Sequence, residues 1–342
     1  MRAVKLTAAR KLEPVEVVEP GTGENNVIMD VSACGVCGSD LHYWEMGTGM
    51  DGKPGLIPGH EFCGTVSDPG PRGDLQPGDR VTYIPLNPCG VCPTCQKGLF
   101  HICQKAFTRP IPGNNAPGAF AEKVAGRADM VRKLPDSLSD EAACLVEPAS
   151  VALHAVRQAG FRVGDNVLVT GGGTIGLLSA AWAKIAGAGL VGLCEVNPHR
   201  LEYAGNWQYV HEVFDGRDEK LRKKLKQVSD GGFDAVVETS AVDAGLFTAM
   251  SALKPGGTVV LAGINFSAQS VSTLMFTSKE LVQRGSMAYA IEEFDTSLAF
   301  MADKRLDPAD MVNCRPGFSE LQETFELLHA GAPEIVKAVV RP

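Results

Sequence analysis

Four of the ten cysteines in this 342-residue sequence lie close together, at Cys89, Cys92, Cys95 and Cys103. Four thiolates on one short loop match the tetrahedral ligand set of a structural zinc ion. An iron–sulfur cluster fits this spacing less well, because the usual bacterial run places the fourth cysteine after only three intervening residues. A site closed by four thiolates has no open position, so we expect this zinc to shape a loop and to perform no chemistry.

A glycine-rich segment, Gly171-Gly-Gly173-Thr-Ile-Gly176, fits the pattern G-x-G-x-x-G. It follows an apolar strand and opens a helix, which is the context in which this pattern binds dinucleotides. Gly171 permits a tight turn, Gly173 lets a pyrophosphate approach the backbone, and Gly176 lets the helix pack closely on the strand. We therefore expect the phosphates at the helix N-terminus, where free N–H groups and the helix dipole favour anions.

An acidic residue that binds the cofactor ribose is expected about 20 residues further on, at the end of the second strand. Glu195 lies 19 residues after Gly176. Its carboxylate can accept hydrogen bonds from a ribose diol and would repel a 2′-phosphate, so the sequence predicts NAD rather than NADP. We also assign Thr174, Ile175 and Arg200 to the cofactor site.

The elements around these residues follow two different patterns. Up to about residue 135, short strands alternate with Gly/Pro turns, as in a β-rich domain. From residue 165 onward strands alternate with helices, which predicts a parallel sheet with right-handed crossovers. The predicted strands of that sheet are Asn166–Thr170, Leu190–Glu195, Phe233–Glu238 and Thr258–Gly263.

Three signals mark the elements outside that sheet. Pro148 can occupy the first turn of a helix that runs Val151–Ala159. Ser319 and Gln322 form a capping-box pattern at the start of a C-terminal helix. A closing strand, Ile335–Val340, is predicted to return to the first domain.

Composition excludes several classes of partner. The formal net charge of −8 argues against nucleic acid and anionic membranes. No apolar run reaches the roughly 18–20 residues that span a bilayer, and the first residues lack the apolar core of a signal peptide. We therefore expect a cytoplasmic protein whose cysteines are reduced.

A second set of potential metal ligands is dispersed along the chain. Cys37 lies in Gly-Val-Cys-Gly-Ser-Asp, His60 and Glu61 in Gly-His-Glu-Phe, and Glu147 in Val-Glu-Pro. Each is a weak signal alone, and spacing does not show that they converge.

Taken together, the motifs resemble zinc-containing medium-chain alcohol dehydrogenases over essentially the whole chain, in the same order. The resemblance implies an α/β protein with a Rossmann doubly wound parallel-sheet domain, residues 149–289. It also implies a β-rich GroES-like catalytic domain that is discontinuous, residues 1–148 and 290–342.

The resemblance further implies a catalytic zinc ion bound by Cys37 and His60, with a third ligand from the segment that holds Glu147. Glu61 can bind this zinc directly or exchange with Glu147 or water, and the sequence leaves these alternatives open. In the family, a hydroxyl at the position of Ser39 and a histidine at that of His42 relay the proton of the alcohol to solvent. The implied cofactors are two zinc ions per chain and NAD.

The segment Glu147-Pro-Ala-Ser-Val-Ala-Leu-His154 is similar to that of polyol dehydrogenases such as sorbitol dehydrogenase. We therefore expect reversible transfer of a hydride from a secondary hydroxyl of a polyol or vicinal diol to NAD. Alternatives are butanediol, a threonine-type amino alcohol, another alcohol such as a cyclic sugar alcohol, and, more remotely, a non-catalytic NAD-binding relative. The resemblance also implies a homodimer or homotetramer.

Overall fold

The computed structural model describes residues 1–332 and 334–342. The chain divides into two compact units, one made of Met1–Glu147 with Ala290–Pro342 and the other of Pro148–Tyr289. Both contain helices and strands, which confirms the predicted α/β class. No helix in the described residues has the length and apolar character needed to cross a bilayer.

The strands and helices of the described chain are numbered separately from its first residue. The strands of the first unit are β1 (Arg2–Ala8), β2 (Lys11–Glu16), β3 (Asn26–Gly35), β4 (Glu61–Asp68), β5 (Arg80–Tyr83), β6 (Lys123–Arg127), β7 (Val131–Lys133), β14 (Val312–Cys314) and β15 (Lys337–Val340). Those of the second are β8 (Asn166–Thr170), β9 (Leu190–Glu195), β10 (Glu212–Asp215), β11 (Phe233–Glu238), β12 (Leu253–Leu261) and β13 (Val282–Gly285). The helices are α1 (Gly38–Met46), α2 (Pro93–Gln96), α3 (Asp140–Ala143), α4 (Val146–Ala159), α5 (Thr174–Ile185), α6 (Pro198–Asn206), α7 (Leu221–Val228), α8 (Asp243–Ala252), α9 (Thr273–Lys279), α10 (Ile291–Ala302) and α11 (Leu321–His329).

The second unit is built on a parallel sheet with the strand order β10-β9-β8-β11-β12-β13. This order confirms the predicted doubly wound sheet, whose winding reverses between β8 and β11. Val167, Leu168 and Val169 of β8 are fully buried, because helices cover both faces of such a sheet. The carboxyl end of β8 leads directly into the glycine-rich turn, so the turn lies where the winding reverses.

In the first unit, strand β3 lies at the centre of a mixed sheet with the order β14-β15-β3-β4-β5-β7, and β6 also pairs with β3. Gly35, the last residue of β3, is opposite Glu61 of β4 and opposite Val339 of β15. This register places the start of β4 and the C-terminal strand on either side of the chain that enters Cys37.

Four local predictions differ from the structure. The predicted strand Thr258–Gly263 is β12, Leu253–Leu261, and the predicted closing strand Ile335–Val340 is β15, Lys337–Val340. Helix α4 begins at Val146, five residues before the predicted Val151, so Glu147 lies in its first turn. The capping box is wrong: α11 begins at Leu321, and the Gln322 side chain donates to the carbonyl of Arg10 and accepts from the N–H of Leu12. The side chain that should close the helix end therefore ties the helix to the segment at β2.

Candidate functional site

Cys37, His60 and Glu61 form a compact group of possible metal ligands in the first unit. One ligand atom from each residue lies within 4.8 Å of the others. His60 and Glu61 are 6% and 1% exposed, and Cys37 is half-buried just before α1. Sulfur, nitrogen and oxygen donors in one such group are the set that zinc binds, so these residues fit the metal that the sequence implies.

Asp40 joins the segments of Cys37 and His60. Its fully buried carboxylate accepts a hydrogen bond from the N–H of Cys37 at 2.9 Å and from that of Gly59 at 3.3 Å. The same carboxylate lies 3.6 Å from Nδ1 of His60, a buried atom without a hydrogen bond in the described structure. Metal-binding histidines commonly have a carboxylate at the ring nitrogen that faces away from the metal. Asp40 is placed to fix the orientation of the His60 ring.

Lys337 of β15 also belongs to this group, although no motif in the sequence indicated it. Its ammonium donates to Oε2 of Glu61 and, at 2.9 Å, to the carbonyl of Val36. The lysine and glutamate side chains are 2% and 1% exposed. Burial alone would lower the pKa of Lys337, but the negative charges of Glu61 and Cys37 outweigh it and raise that pKa. A lone lysine in an apolar closing strand is the signal in the sequence that could have revealed it.

Glu147 does not join the group that the structure brings together. Its side chain is 9% exposed, near the start of α4 and in the same unit. The cluster of ligand atoms within 4.8 Å contains Cys37, His60 and Glu61 but not Glu147, among the residues described. The structure therefore places Glu61 within 4.8 Å of the ligand atoms of the cysteine and histidine, and Glu147 is not in that group of described residues.

Ser39 and His42 lie three residues apart on α1, directly after Cys37. Both are half-buried, and Nδ1 of His42 lies 3.7 Å from a carboxylate oxygen of Glu45. Tyr43 of the same helix is buried, which raises its pKa to about 12, and its hydroxyl donates to Asn114 at 2.8 Å. Because residues three apart lie on the same face of a helix, the hydroxyl of Ser39 and the imidazole of His42 share one face of α1.

The four predicted structural ligands, Cys89, Cys92, Cys95 and Cys103, also lie together. Their sulfur atoms are all within 4.8 Å of one another, with separations of 4.0 Å for Cys89–Cys95 and 3.9 Å for Cys92–Cys103. A tetrahedron with zinc–sulfur bonds of about 2.3 Å has sulfur–sulfur edges near 3.8 Å. Hydrogen bonds from the Thr94 hydroxyl and from backbone N–H groups lower the pKa of Cys92 to about 5. The loop therefore fits a zinc ion held by thiolates.

In the second unit, the glycine-rich turn has the geometry that a dinucleotide needs. Gly171 has a φ of +99°, and a Cβ at Gly176 would collide with the carbonyl of Gly171. At Gly173 a Cβ would meet only Arg200, at 4.0 Å, so the backbone there is open. Thr174 and Ile175 are the first residues of the twelve-residue helix α5, whose N-terminus faces this turn.

Glu195 and Arg200 complete this group. The Glu195 carboxylate is 8% exposed and accepts backbone hydrogen bonds from Gly172 at 2.5 Å, Val196 at 2.6 Å and Asn197 at 2.9 Å. It therefore holds the glycine turn as well as offering a remaining lone pair to a ligand. Nε of Arg200 is buried and has no hydrogen-bond partner in the part of the chain that the structure describes. An unpaired guanidinium nitrogen beside an open turn fits an anionic dinucleotide.

Comparison with known proteins shows two matching domain families. Residues 23–136 match the alcohol dehydrogenase GroES-like domain, and residues 174–303 match the zinc-binding dehydrogenase domain. Probable D-xylulose reductase A from Neosartorya fischeri is 31% identical over 315 residues, which cover 90% of this chain and 87% of that protein. Sorbitol dehydrogenase from Bacillus subtilis is 29% identical, covering 100% of this chain and 97% of the relative.

Among solved structures, 2R,3R-butanediol dehydrogenase from Bacillus subtilis superposes with a TM-score of 0.89 and 26% identity, covering 100% of this chain and 99% of that one. Galactitol-1-phosphate dehydrogenase from Escherichia coli has a TM-score of 0.90 at 25% identity, covering 100% of both chains. The similarity therefore extends over both units and over their order along the chain.

Proposed function

Because the chain belongs to the family of zinc-binding alcohol dehydrogenases, we propose that it transfers a hydride reversibly from a secondary hydroxyl of a polyol or vicinal diol to NAD. The observation that carries this proposal is the buried group of Cys37, His60 and Glu61 in the same chain as an open glycine turn. The three side chains provide ligands for a catalytic metal, and the glycine turn provides a binding site for a dinucleotide.

Cys37 and His60 hold the catalytic zinc, together with a carboxylate from Glu61 or Glu147. The four-cysteine loop holds a second, structural zinc, which gives two zinc ions per chain. When bound, the catalytic zinc acts as a Lewis acid that lowers the pKa of a hydroxyl group. Asp40, 3.6 Å from Nδ1 of His60, would orient the ring when the metal is bound.

The proton of the alcohol leaves along helix α1. We assign the relay to the Ser39 hydroxyl and to the His42 imidazole, whose side chain is 37% exposed and so open to water. Residues of α1 thus supply both the start and the end of the proton path.

Residues of the second unit bind NAD. The N–H groups at Gly173 and at the N-terminus of α5 hold the pyrophosphate, with Thr174, Ile175 and Arg200 around it. Glu195 accepts a hydrogen bond from the adenosine ribose. NAD, when bound there, would supply the hydride acceptor, and these residues would supply its position and its electrostatic environment.

The relatives support a substrate with several hydroxyls. They include a xylulose reductase, a sorbitol dehydrogenase and a galactitol-1-phosphate dehydrogenase, whose names refer to polyols or the corresponding ketoses. The butanediol dehydrogenase supports a vicinal diol as the second candidate. Both have a secondary hydroxyl next to another hydroxyl, which is the chemistry we propose for this chain.

The test is NAD reduction measured at 340 nm over a panel of pentitols, hexitols, butanediols, threonine and simple alcohols. We expect kcat/KM to be highest for a polyol or vicinal diol and to fall when the neighbouring hydroxyl is removed. Activity confined to primary alcohols would refute the assignment. Metal analysis of the same preparation should give two zinc ions per chain.

Cofactor choice gives a sharper prediction at Glu195. Glu195→Gln removes the charge but keeps an oxygen that can accept hydrogen bonds from the glycine turn. We expect the ratio of kcat/KM for NAD to that for NADP to fall roughly ten- to hundredfold, because a hydrogen bond to a charged group contributes about 1.5–3 kcal/mol. Kinetics with both cofactors measures it.

Glu195→Ala also removes the oxygen that accepts a hydrogen bond from the N–H of Gly172 in the glycine turn. This variant should therefore bind both NAD and NADP more weakly than Glu195→Gln does. An unchanged ratio in Glu195→Gln would show that Glu195 has only a structural role.

We also propose a homodimer or homotetramer that works in the cytoplasm. Strand β13 lies at the edge of the parallel sheet and contains Val282, which is 41% exposed, and two further apolar side chains of the same unit, Phe266 and Leu274, are 70% and 75% exposed. Exposed apolar side chains beside an open sheet edge favour association with a second copy. Light scattering at micromolar concentration tests the oligomer.

The cytoplasm is favoured because its reducing conditions keep the thiol ligands available for zinc.

A further inference from the structure

We propose that Lys337 is a positioning residue that competes with the catalytic metal for Glu61 and so keeps this carboxylate a displaceable ligand. The inference rests on the proposed catalytic zinc and concerns the choice between Glu61 and Glu147 that the sequence leaves open. The carboxylate of Glu61 forms a buried ion pair with the ammonium of Lys337.

The strands on either side of β3 hold the Glu61–Lys337 ion pair in place. Glu61 is the first residue of β4 and Lys337 the first of β15, and both strands flank the end of β3. Lys337 also donates to the carbonyl of Val36, next to Cys37, at 2.9 Å. With 2% and 1% exposure, both side chains are shielded from solvent. The ammonium is therefore fixed beside the metal ligands.

Gly35 makes room for the Glu61 carboxylate beside Lys337. A Cβ at Gly35 would collide with its Oε2 atom and would come within 3.0 Å of Cε of Lys337. The missing side chain of Gly35 thus provides the space that the ion pair occupies. One carboxylate oxygen of Glu61 accepts from Lys337, and the carboxylate also has an oxygen within 4.8 Å of the ligand atoms of His60 and Cys37.

The charges of the group explain why a lysine is needed. With metal bound, Cys37 is a thiolate, and Glu61 and Asp40 add two further negative charges to a buried region. Lys337 reduces the net charge of these four side chains to two negative, which one zinc ion neutralises. Without the lysine, an uncompensated carboxylate would remain beside a divalent cation, and in a buried site it would be drawn onto that cation.

Lys337 therefore lowers the affinity of Glu61 for the metal without removing it from the site. A carboxylate shared between an ammonium and a metal can give way to an incoming hydroxyl, whereas an unshared one occupies the position permanently.

The experiment loads the full-length protein with cobalt at the catalytic site and titrates imidazole, which competes for the open metal position, while visible absorption is followed. In Lys337→Met we expect imidazole to bind roughly tenfold more weakly or worse, and zinc to resist removal by a chelator roughly tenfold better. Lys337→Arg keeps the charge and should stay within about threefold of the wild type for both. These readouts do not depend on turnover.

The double variant Lys337→Met/Glu61→Gln separates competition from a structural role. It removes both charges, which a buried pair often tolerates, and imidazole affinity should return to within about threefold of the wild type. Unchanged imidazole binding in Lys337→Met, or an equal loss in the double variant, would overturn the proposal. If Lys337→Met does not fold, Lys337→Gln is compared with the same double variant. A wild-type protein with no metal at Cys37 would instead refute the proposed function.

Discussion

Replacing Cys37 with serine is expected to lower kcat/KM for polyol oxidation by about a thousandfold or more. A serine hydroxyl is a poor zinc ligand compared with a thiolate, and without the metal the pKa of the substrate hydroxyl returns toward its value in water. The zinc content should fall from two ions to one per chain. NADH binding, followed by fluorescence, should stay within about threefold of the wild type, because the glycine turn belongs to the other unit.

Cys314→Ser is the matched control for this variant, since Cys314 is a half-buried cysteine of the same unit outside both metal-binding groups. It should keep both zinc ions and nearly full activity. A Cys37→Ser protein that retains two zinc ions and wild-type kcat/KM would contradict the catalytic site as a whole.

Replacing Cys95 with serine is expected to affect stability most. Structural zinc contributes about 10–16 kcal/mol to the folding of zinc-finger peptides, and even half of that would be a large fraction of the stability of a folded domain. We expect loss of one zinc ion and a fall in Tm of roughly 10 °C or more, since each kcal/mol shifts Tm by about 2–4 °C in a domain of this size. Calorimetry and metal analysis measure the two effects.

The two zinc sites should be distinguishable by this comparison. Chain that remains folded in Cys95→Ser should keep most of its kcat, because the four-cysteine loop holds no open position for substrate. A Tm equal to that of Cys314→Ser, with two zinc ions still bound, would show that the loop does not depend on metal.

The parts of the fold that depend on local pattern could be predicted well. Strands β8, β9 and β11 have the bounds that the sequence indicated, because parallel strands buried on both faces are short apolar runs between turns. The glycine turn and the four-cysteine loop were also visible, since all their members lie within a few residues of one another. In both motifs a single short segment contains all the residues that the predicted site needs.

What the sequence could not provide depends on pairings between distant segments. Glu61 and Lys337 are 276 residues apart, and the antiparallel pairings of β4 and of β15 with β3 bring them together. Gln322 fits a capping box locally, yet its amide bonds to Arg10 and Leu12 from the other end of the chain. Likewise, nothing local distinguishes Glu61 from Glu147, whereas the structure places only the former in the described ligand group.

The pairing of β15 with β3 also has a consequence for the order of biosynthesis. The second unit is one continuous stretch of chain, so it can fold as soon as it emerges from the ribosome. The first unit lacks β15, and with it the counter-charge of Glu61, until residues near 340 have been translated. A nascent chain is therefore expected to form the proposed nucleotide site early and the proposed catalytic metal site last. Zinc delivered during synthesis meets the cysteine loop long before it meets a finished reaction centre.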